Sequence, residues 1–415
     1  MTHDTNIPQG YKATALGIIP QEWEVMRLGD IVSITSGESP SLYHLKAEGK
    51  YPYVKVEDLN NCEKYQESSR EYSDDNNTTI KAGSIIFPKR GASILNNKVR
   101  IAAKDIQMDS NMMAITPHTA IIDTEFLYIR ILHERLYRIA DTSSIPQINN
   151  KHIIPYKIAV PPLAEQRKIA EVLGVWDEAI EKQARLIEKL ALRKRGLMQR
   201  LLSAKLRLPG FSEPWQKVKL GDIGDTYNGL SGKNKDDFEY GNAQFIPYIN
   251  VFSNERIDTN NLGCVQIKPN EQQNTVKYGD IFFTVSSETP DEVGMASVLL
   301  EHLDNTYLNS FCFGYRLNNF STLNPFFAAY LFRTEHFRNY MSVLAQGSTR
   351  FNISKKEVMK LKIDLPTIEE QTAIAEVLTA ADREIDLAKE KLERLRRQKR
   401  GLMQQLLTGK KRIKY

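Results

Sequence analysis

The sequence predicts an α+β protein with a pseudo-two-fold internal repeat, in which two globular α+β domains are joined by two long antiparallel coiled-coil helices. Three observations predict it. The string EQRKIAEVL at 165–173 returns as EQTAIAEVL at 370–378, an offset of 205, and the same offset carries KRGLMQRLLSAK (194–205) onto KRGLMQQLLTGK (399–410). Apolar residues within both copies recur at alternating steps of three and four, the seam pattern of a coiled coil. Between the copies lie short β-rich runs separated by Asn-, Ser- and Gly-rich turns. The divisions fall at residues 1–160 and 208–365 for the globular domains, and at 161–207 and 366–415 for the spacer helices.

In the first globular block, β-rich runs occupy 52–56, 83–87 and 99–101, and a helical pattern occupies 124–140. Pro162 then opens the first long helix, where a proline costs no hydrogen bond. Its seam is Ile169, Leu173, Trp176, Ile180, Ile187, Leu190, Leu197 and Leu201. The second block has β-rich runs at 245–249 and 280–285 and a helical pattern at 324–344. Thr367 with Glu370 forms a capping-box pattern before the second long helix. The second seam is Ile374, Leu378, Ala381, Ile385, Ala388, Leu392, Leu395, Leu402 and Leu406. An uninterrupted helix of about 40 residues spans roughly 60 Å. Each seam needs a partner, and the economical partner is the other helix. Antiparallel packing would put the globular blocks at opposite ends of a rod. Lys194, Lys399 and Gln183 occupy core-type positions, where exposure near the helix ends is expected; fixing the register is the other reading.

A weaker repeat precedes each copy. Trp23 and the string Leu-Gly-Asp-Ile (28–31) match Trp215 and the same string at 220–223, and GSIIF (83–87) matches GDIFF (279–283). The pattern is variable block, constant block, variable block, constant block.

Composition bounds the function. A chain of 415 residues suggests two or three domains. With 41% apolar and 26% charged residues it is ordinary folded protein. No apolar run is long enough to span a membrane, and the polar amino-terminal residues 1–9 lack a secretion-signal core. Cys62, Cys264 and Cys312 are odd in number and far apart, which fits a reducing, cytoplasmic setting. The two constant segments hold 23 Lys/Arg and 14 Asp/Glu, a net of +9, and the remaining residues hold 33 and 37, a net of −4. Contact of the globular blocks with nucleic acid therefore requires local basic patches. The acid-free run 189–207 reads either as a solvated helix end or as a phosphate or partner contact.

Catalytic signatures are missing. The chain has no GxxxxGK[ST] loop, no GxSxG elbow and no HExxH pair among its seven histidines. Adenine methyltransferases carry an Asn/Asp-Pro-Pro-aromatic motif, which neither VPPL (160–163) nor NPFF (324–327) matches. Pro290-Asp291 lacks the downstream Glu-x-Lys of a metal-dependent nuclease. No catalytic residue and no metal ligand is assigned.

The twin Pro-x-x-x-Glu-Gln-x-x-Ile-Ala-Glu-Val-Leu openings, the Lys-Arg-Gly-Leu-Met-Gln-x-Leu-Leu endings and the Trp…Leu-Gly-Asp-Ile strings resemble the specificity subunit of type I restriction–modification enzymes, over nearly the whole chain. The resemblance implies that each variable block reads one half of a split, asymmetric sequence in double-stranded DNA. It implies that the paired helices set the gap and dock two modification subunits, which bind S-adenosylmethionine and methylate adenine. Two restriction subunits using ATP and Mg complete the assembly, and the chain itself holds no cofactor and no activity. The competing readings are a protein–protein scaffold without DNA readout and a self-contained DNA methyltransferase or nuclease.

Base readout needs Arg, Lys, Asn or Gln, and phosphate contact needs basic or hydroxyl groups. The loop 87–93 matches the family's strand–Arg–Gly loop and offers Lys89, Arg90 and Ser93. Its equivalent at 284–287 retains Ser286 but neither cation. The stretch 144–149 aligns with 349–354 and offers Gln147, Asn149, Arg350 and Asn352. The glycine-turn loop 228–233 adds Lys233, and 36–40 is a similar loop. Ordinary exposed turn residues are the alternative for all of these.

Overall fold

The computed structural model describes residues 7–141 and 145–413. Residues 1–6 of the polar amino-terminal run and Ser144 of the 144–149 stretch lie outside them. The chain divides into two units, residues 1–184 with 390–415, and residues 185–389. Each unit contains one globular block and one part of each long helix.

In the first unit a five-stranded sheet runs in the order Val32–Ser36, Met112–Pro117, Ile85–Pro88, Arg100–Ala102, Tyr65–Gln66. The second unit repeats the first four positions with Gly224–Asn228, Cys312–Leu317, Ile281–Thr284 and Ala296–Val298. Side chains alternate across a strand. Ile85 and Phe87 pack with Phe126, Leu127 and Ile131, whereas Ile86 packs on the opposite face with Val54, Leu59 and Met108. Ile281 and Phe283 pack with Phe327, Phe332 and Phe337, and Phe282 with Ile246 and Leu308. Burial on both faces explains why GSIIF and DIFFT carry no polar alternation. Each fully buried Phe or Ile contributes roughly 1.5–3 kcal/mol.

Three expected elements are revised. The helix expected over 324–344 is two helices, Pro325–Leu331 and Glu335–Leu344, the second capped by Thr334. The helix expected over 124–140 breaks at Arg135, which sits at φ 63° between Thr124–Glu134 and Leu136–Ile139. The run 245–249 is strand only to Ile246, since Pro247 caps a helix over Tyr248–Ser253. The Leu-Gly-Asp-Ile strings form one helical turn in each unit. The Leu28 N–H donates to the Tyr156 carbonyl and the Leu220 N–H to the Leu361 carbonyl. A Cβ on Gly29 would lie 2.9 Å from Ile154, and one on Gly221 3.0 Å from the Met359 carbonyl, so the repeated glycine is a close-approach residue.

The long helices are Leu163–Leu201 and Ile368–Leu407. Their openings are clamps. Gln166 accepts from the Asp123 N–H at 2.8 Å and donates to the Ile121 and Pro161 carbonyls. Gln371 repeats this with the Asn324 N–H, Thr322 and Pro366. Asp123 and Asn324 in turn cap the helices of their own blocks. The carboxylate of Glu165 is wholly buried and accepts from Trp23 Nε1 at 2.9 Å and from Arg412 at 2.7 and 3.0 Å. Glu370 is equally buried and takes a bidentate pair from Arg207 at 2.6 and 2.7 Å. Glu370 therefore does not close the expected capping box, although Thr367 Oγ1 still accepts its N–H. Trp215 Nε1, matching Trp23, has no partner among the described residues.

Within each unit the helix segments pack antiparallel. In the first, Ile169 and Leu173 share a core with Leu402 and Leu406, and Asp177 pairs with Lys399. In the second, Leu197 and Leu201 share a core with Ile374 and Leu378, Leu190 packs on Ile385 and Ala388, and Arg193 pairs with Glu384. Leu392 is buried, and Trp176, Ile180, Ile187 and Leu395 are half-buried.

The polar seam residues are not exposed. Gln183 is buried. Lys194 pairs with Asp382 at 2.6 Å and with Glu255 at 2.9 Å, and its side chain is 13% exposed. Burial alone would lower its pKa, but Asp382 and Glu255 outweigh that and raise it. Asp177–Lys399 and Lys194–Asp382 are one pair written twice, related by the 205 offset.

The helix ends test this symmetry. Gly409 closes the second helix at φ 69°, and Ala204, its repeat mate, holds φ 57° after the first. A left-handed conformation costs an L-residue roughly 1–2 kcal/mol. We expect Gly409→Ala to destabilise the first unit by at least that much, because the new Cβ also meets Pro20 at 2.3 Å. We expect Ala204→Gly to be neutral to stabilising, by up to about 1 kcal/mol after the entropy of the unfolded glycine is counted. Thermal unfolding of both variants checks this.

Candidate functional site

In each unit one end of the sheet lies at the Leu-Gly-Asp-Ile turn, and the opposite end is its free end. At the turn end of the first unit, the His118 N–H donates to Ile31; Asn318 and Ile223 repeat that bond in the second. At the free end, Val32–Ser36 and Ile85–Pro88 terminate and Met112–Pro117 begins, with Ser36 opposite Met113 and Pro88 opposite Met112. In the second unit the same end is marked by Asn228 opposite Phe313 and Thr284 opposite Cys312.

Most of the residues picked from sequence converge there. The chain leaving Pro88 runs antiparallel to residues 146–148, with Arg90 directly opposite Gln147. The Ile148 N–H donates to the Lys89 carbonyl and the Gly91 N–H to Pro146, both at 2.9 Å. Gln147 and Asp141 exchange both backbone bonds on the other side. The second unit repeats every register position. Ser286 faces Asn352, the Ile353 N–H donates to Val285 at 3.0 Å, and Asn352 exchanges both bonds with Gln346. A three-segment antiparallel ribbon thus extends each sheet at its free end.

The side chains on the two ribbons differ. Arg90 is exposed and Lys89 half-buried, and neither makes a salt bridge among the described residues. Burial, then the adjacent Arg90 guanidinium, push the Lys89 ammonium below its ordinary pKa. Ser93 lies half-buried in the Ala92–Ile94 turn. Asn149 precedes the Asn150–Ile153 helix, and its N–H donates to His152 Nδ1 at 3.1 Å. In the second unit Ser286 is buried, so its hydroxyl is withdrawn from the surface. The cations come from the other segment: Arg350 is exposed over the Phe311 ring at 6.0 Å. Lys355 bonds Asn228 Oδ1 and stands over Phe313, and burial lowers its pKa. A cation held against burial without a carboxylate gains most from an incoming anion.

Lys233 does not belong to this set. Its side chain is 4% exposed and its ammonium bonds Glu271 and the Gln266 carbonyl, both at 2.5 Å. It closes the glycine-turn loop internally. Among the described residues no group of three His, Cys, Asp or Glu is placed to hold a metal, and no helix is long and apolar enough to cross a membrane.

The model of the type I restriction modification DNA specificity domain matches the chain twice, over residues 20–191 and 212–397. The chain belongs to this family. The specificity subunit of the MjaVIII type I restriction enzyme of Methanocaldococcus jannaschii is 26% identical over 424 residues, covering 95% of this chain and 94% of the relative. That of StySPI from Salmonella potsdam is 24% identical over 185 residues, covering 44% of this chain and 39% of its own. In fold the chain is similar to the S subunit from M. genitalium, with a TM-score of 0.54, 18% identity and 98% of both chains covered. It is also similar to a chain from a type I restriction–modification assembly, with a TM-score of 0.64, 20% identity, and 94% and 99% covered.

For a specificity domain, the residues that sequence reasoning missed are Lys355 and Phe311. Lys355 lies one position beyond the aligned stretch 349–354, and Phe311 reaches the free end only through pairing, the Val285 N–H donating to its carbonyl. The Lys233 reading is testable. The Lys233 ammonium, the Lys268 N–H and Gln273 hold the Glu271 carboxyl down at about 2. Because that lies below the unfolded value, the stabilisation is present above the ordinary carboxylate range and is lost as pH falls towards 2. In Lys233→Ala the Glu271 pKa should rise towards the ordinary carboxylate range, read by NMR titration of the carboxyl carbon. An unchanged titration would contradict the pairing.

Proposed function

We propose that this chain is the non-catalytic DNA-specificity subunit of a type I restriction–modification complex, in which each globular block reads one half of a split, asymmetric target. The observation that carries the reading is the pair of ribbons, identical in backbone register and different in side chains, each within one of the two family matches. Equal scaffolds with unequal surfaces suit two unlike half-sites. The residues proposed to face DNA are Lys89, Arg90, Ser93, Gln147 and Asn149 in the first unit, with Arg350, Asn352 and Lys355 in the second. The long helices, each continuous through both units, serve as the spacer between half-sites. A repeated spacer offers two equivalent docking positions, which suits two modification subunits carrying S-adenosylmethionine; two restriction subunits carrying ATP and Mg complete the assembly. The setting is the cytoplasm, where the host DNA lies.

The test is long-read methylation mapping after expression with the neighbouring modification subunit in a host lacking adenine methylation. The expected result is one motif with two unlike halves and a fixed gap. No motif from a soluble, associated complex would favour the protein scaffold, and methyl transfer by the chain alone would favour the self-contained methyltransferase.

A further inference from the structure

The ribbons restrict how the free sheet ends meet DNA. Arg90 and Gln147 are flanked by the Lys89–Ile148 and Gly91–Pro146 bonds, so they form a non-hydrogen-bonded antiparallel pair. In such a pair both side chains leave the same face with Cβ atoms about 4.5–5.5 Å apart. Ser286 and Asn352 hold the same relation, flanked by the Ile353–Val285 bond. Ribbons and sheets place strands in the major groove, and two side chains on one face at this spacing can reach adjacent base pairs. The middle segment carries an amide in both units, Gln147 and Asn352. Gln147 has no side-chain hydrogen bond among the described residues, and Asn352 makes one long contact, 3.3 Å from Nδ2 to the Arg350 carbonyl. An amide is the group that matches the adenine N6/N7 edge bidentately, as arginine matches guanine O6/N7. The flanking position is where the units part, with exposed Arg90 against buried Ser286.

Resting on the DNA-reading function above, we infer that Gln147 and Asn352 each read an adenine in the major groove of their own half-site, and that Arg90 reads a guanine next to the first adenine. Ser286, buried, makes no base contact, so the second half-site has no guanine requirement from this position.

The experiment is binding by the complex with its modification subunit, using duplexes that carry the mapped motif and each single base-pair substitution in it. Wild type should lose about 5- to 150-fold when the adenine assigned to Gln147 is replaced. Gln147→Ala should lose a similar factor on the intact motif and nothing further on that substituted duplex. Arg90→Ala should do the same at the adjacent guanine, and Asn352→Ala at an adenine of the other half only. Should the alanine variant fail to assemble, Gln147→Glu keeps the side-chain length and should move the preference from adenine to cytosine. Uniform weakening across all duplexes would make these residues phosphate contacts and overturn the inference, as would retained discrimination at the assigned position. A wild-type complex with no split motif would instead overturn the functional reading.

Discussion

Two carboxylates without water, Glu165 and Glu370, hold the architecture together. Taking a carboxylate out of water costs several kcal/mol unless it is fully paired. Each finds its arginine just past the carboxy-terminal end of the other long helix: Arg412 for Glu165 and Arg207 for Glu370. The neighbouring glutamines tie the same helical turn to the cap of the block's own helix. One turn of helix therefore fixes a globular block, a helix start and a helix end. Because the turn is written twice, each unit pairs its carboxylate with an arginine, and the first adds the Trp23 indole. The seam beyond it combines apolar packing with an Asp–Lys pair in each unit.

That division of labour lets the blocks diverge. The end of each sheet at the Leu-Gly-Asp-Ile turn is constrained by the clamp and by that turn, where even a methyl on the glycine lacks room. The ribbon at the free end is set by backbone pairing, which many side chains can accompany. The first unit places its cations on the segment leaving the central strand, and the second places them on the returning segment. Both present positive groups that have no carboxylate partner among the described residues, in blocks whose summed charge is mildly negative.

The fold was legible where the signal is local. Heptad spacing located the seam, and every seam residue is at least half-buried. Apolar runs located the central strands. Roles that depend on distant partners were not legible. Lys194 reads as an exposed end residue until Asp382 and Glu255 are brought beside it. Glu370 reads as a capping-box acid until Arg207 arrives. Lys233 sits in a loop rich in glycine that invites a phosphate reading, yet Glu271 had already claimed it. The loop 87–93 and the stretch 144–149 were both legible as polar surface. Their pairing, which makes one ribbon of two loops, was not, because nothing local in either sequence specifies the other.

The claim that one repeated clamp holds each block on its helix is tested most directly by hydrogen exchange of Arg412→Ala and Arg207→Ala. Leaving a buried carboxylate without its cation should loosen the turn that carries it. Arg412→Ala should lose protection at residues 121–126 and 163–170 and keep it at 322–327 and 368–375, and Arg207→Ala should do the reverse. Unchanged protection in both variants, or the same loss in both units from either one, would contradict the account.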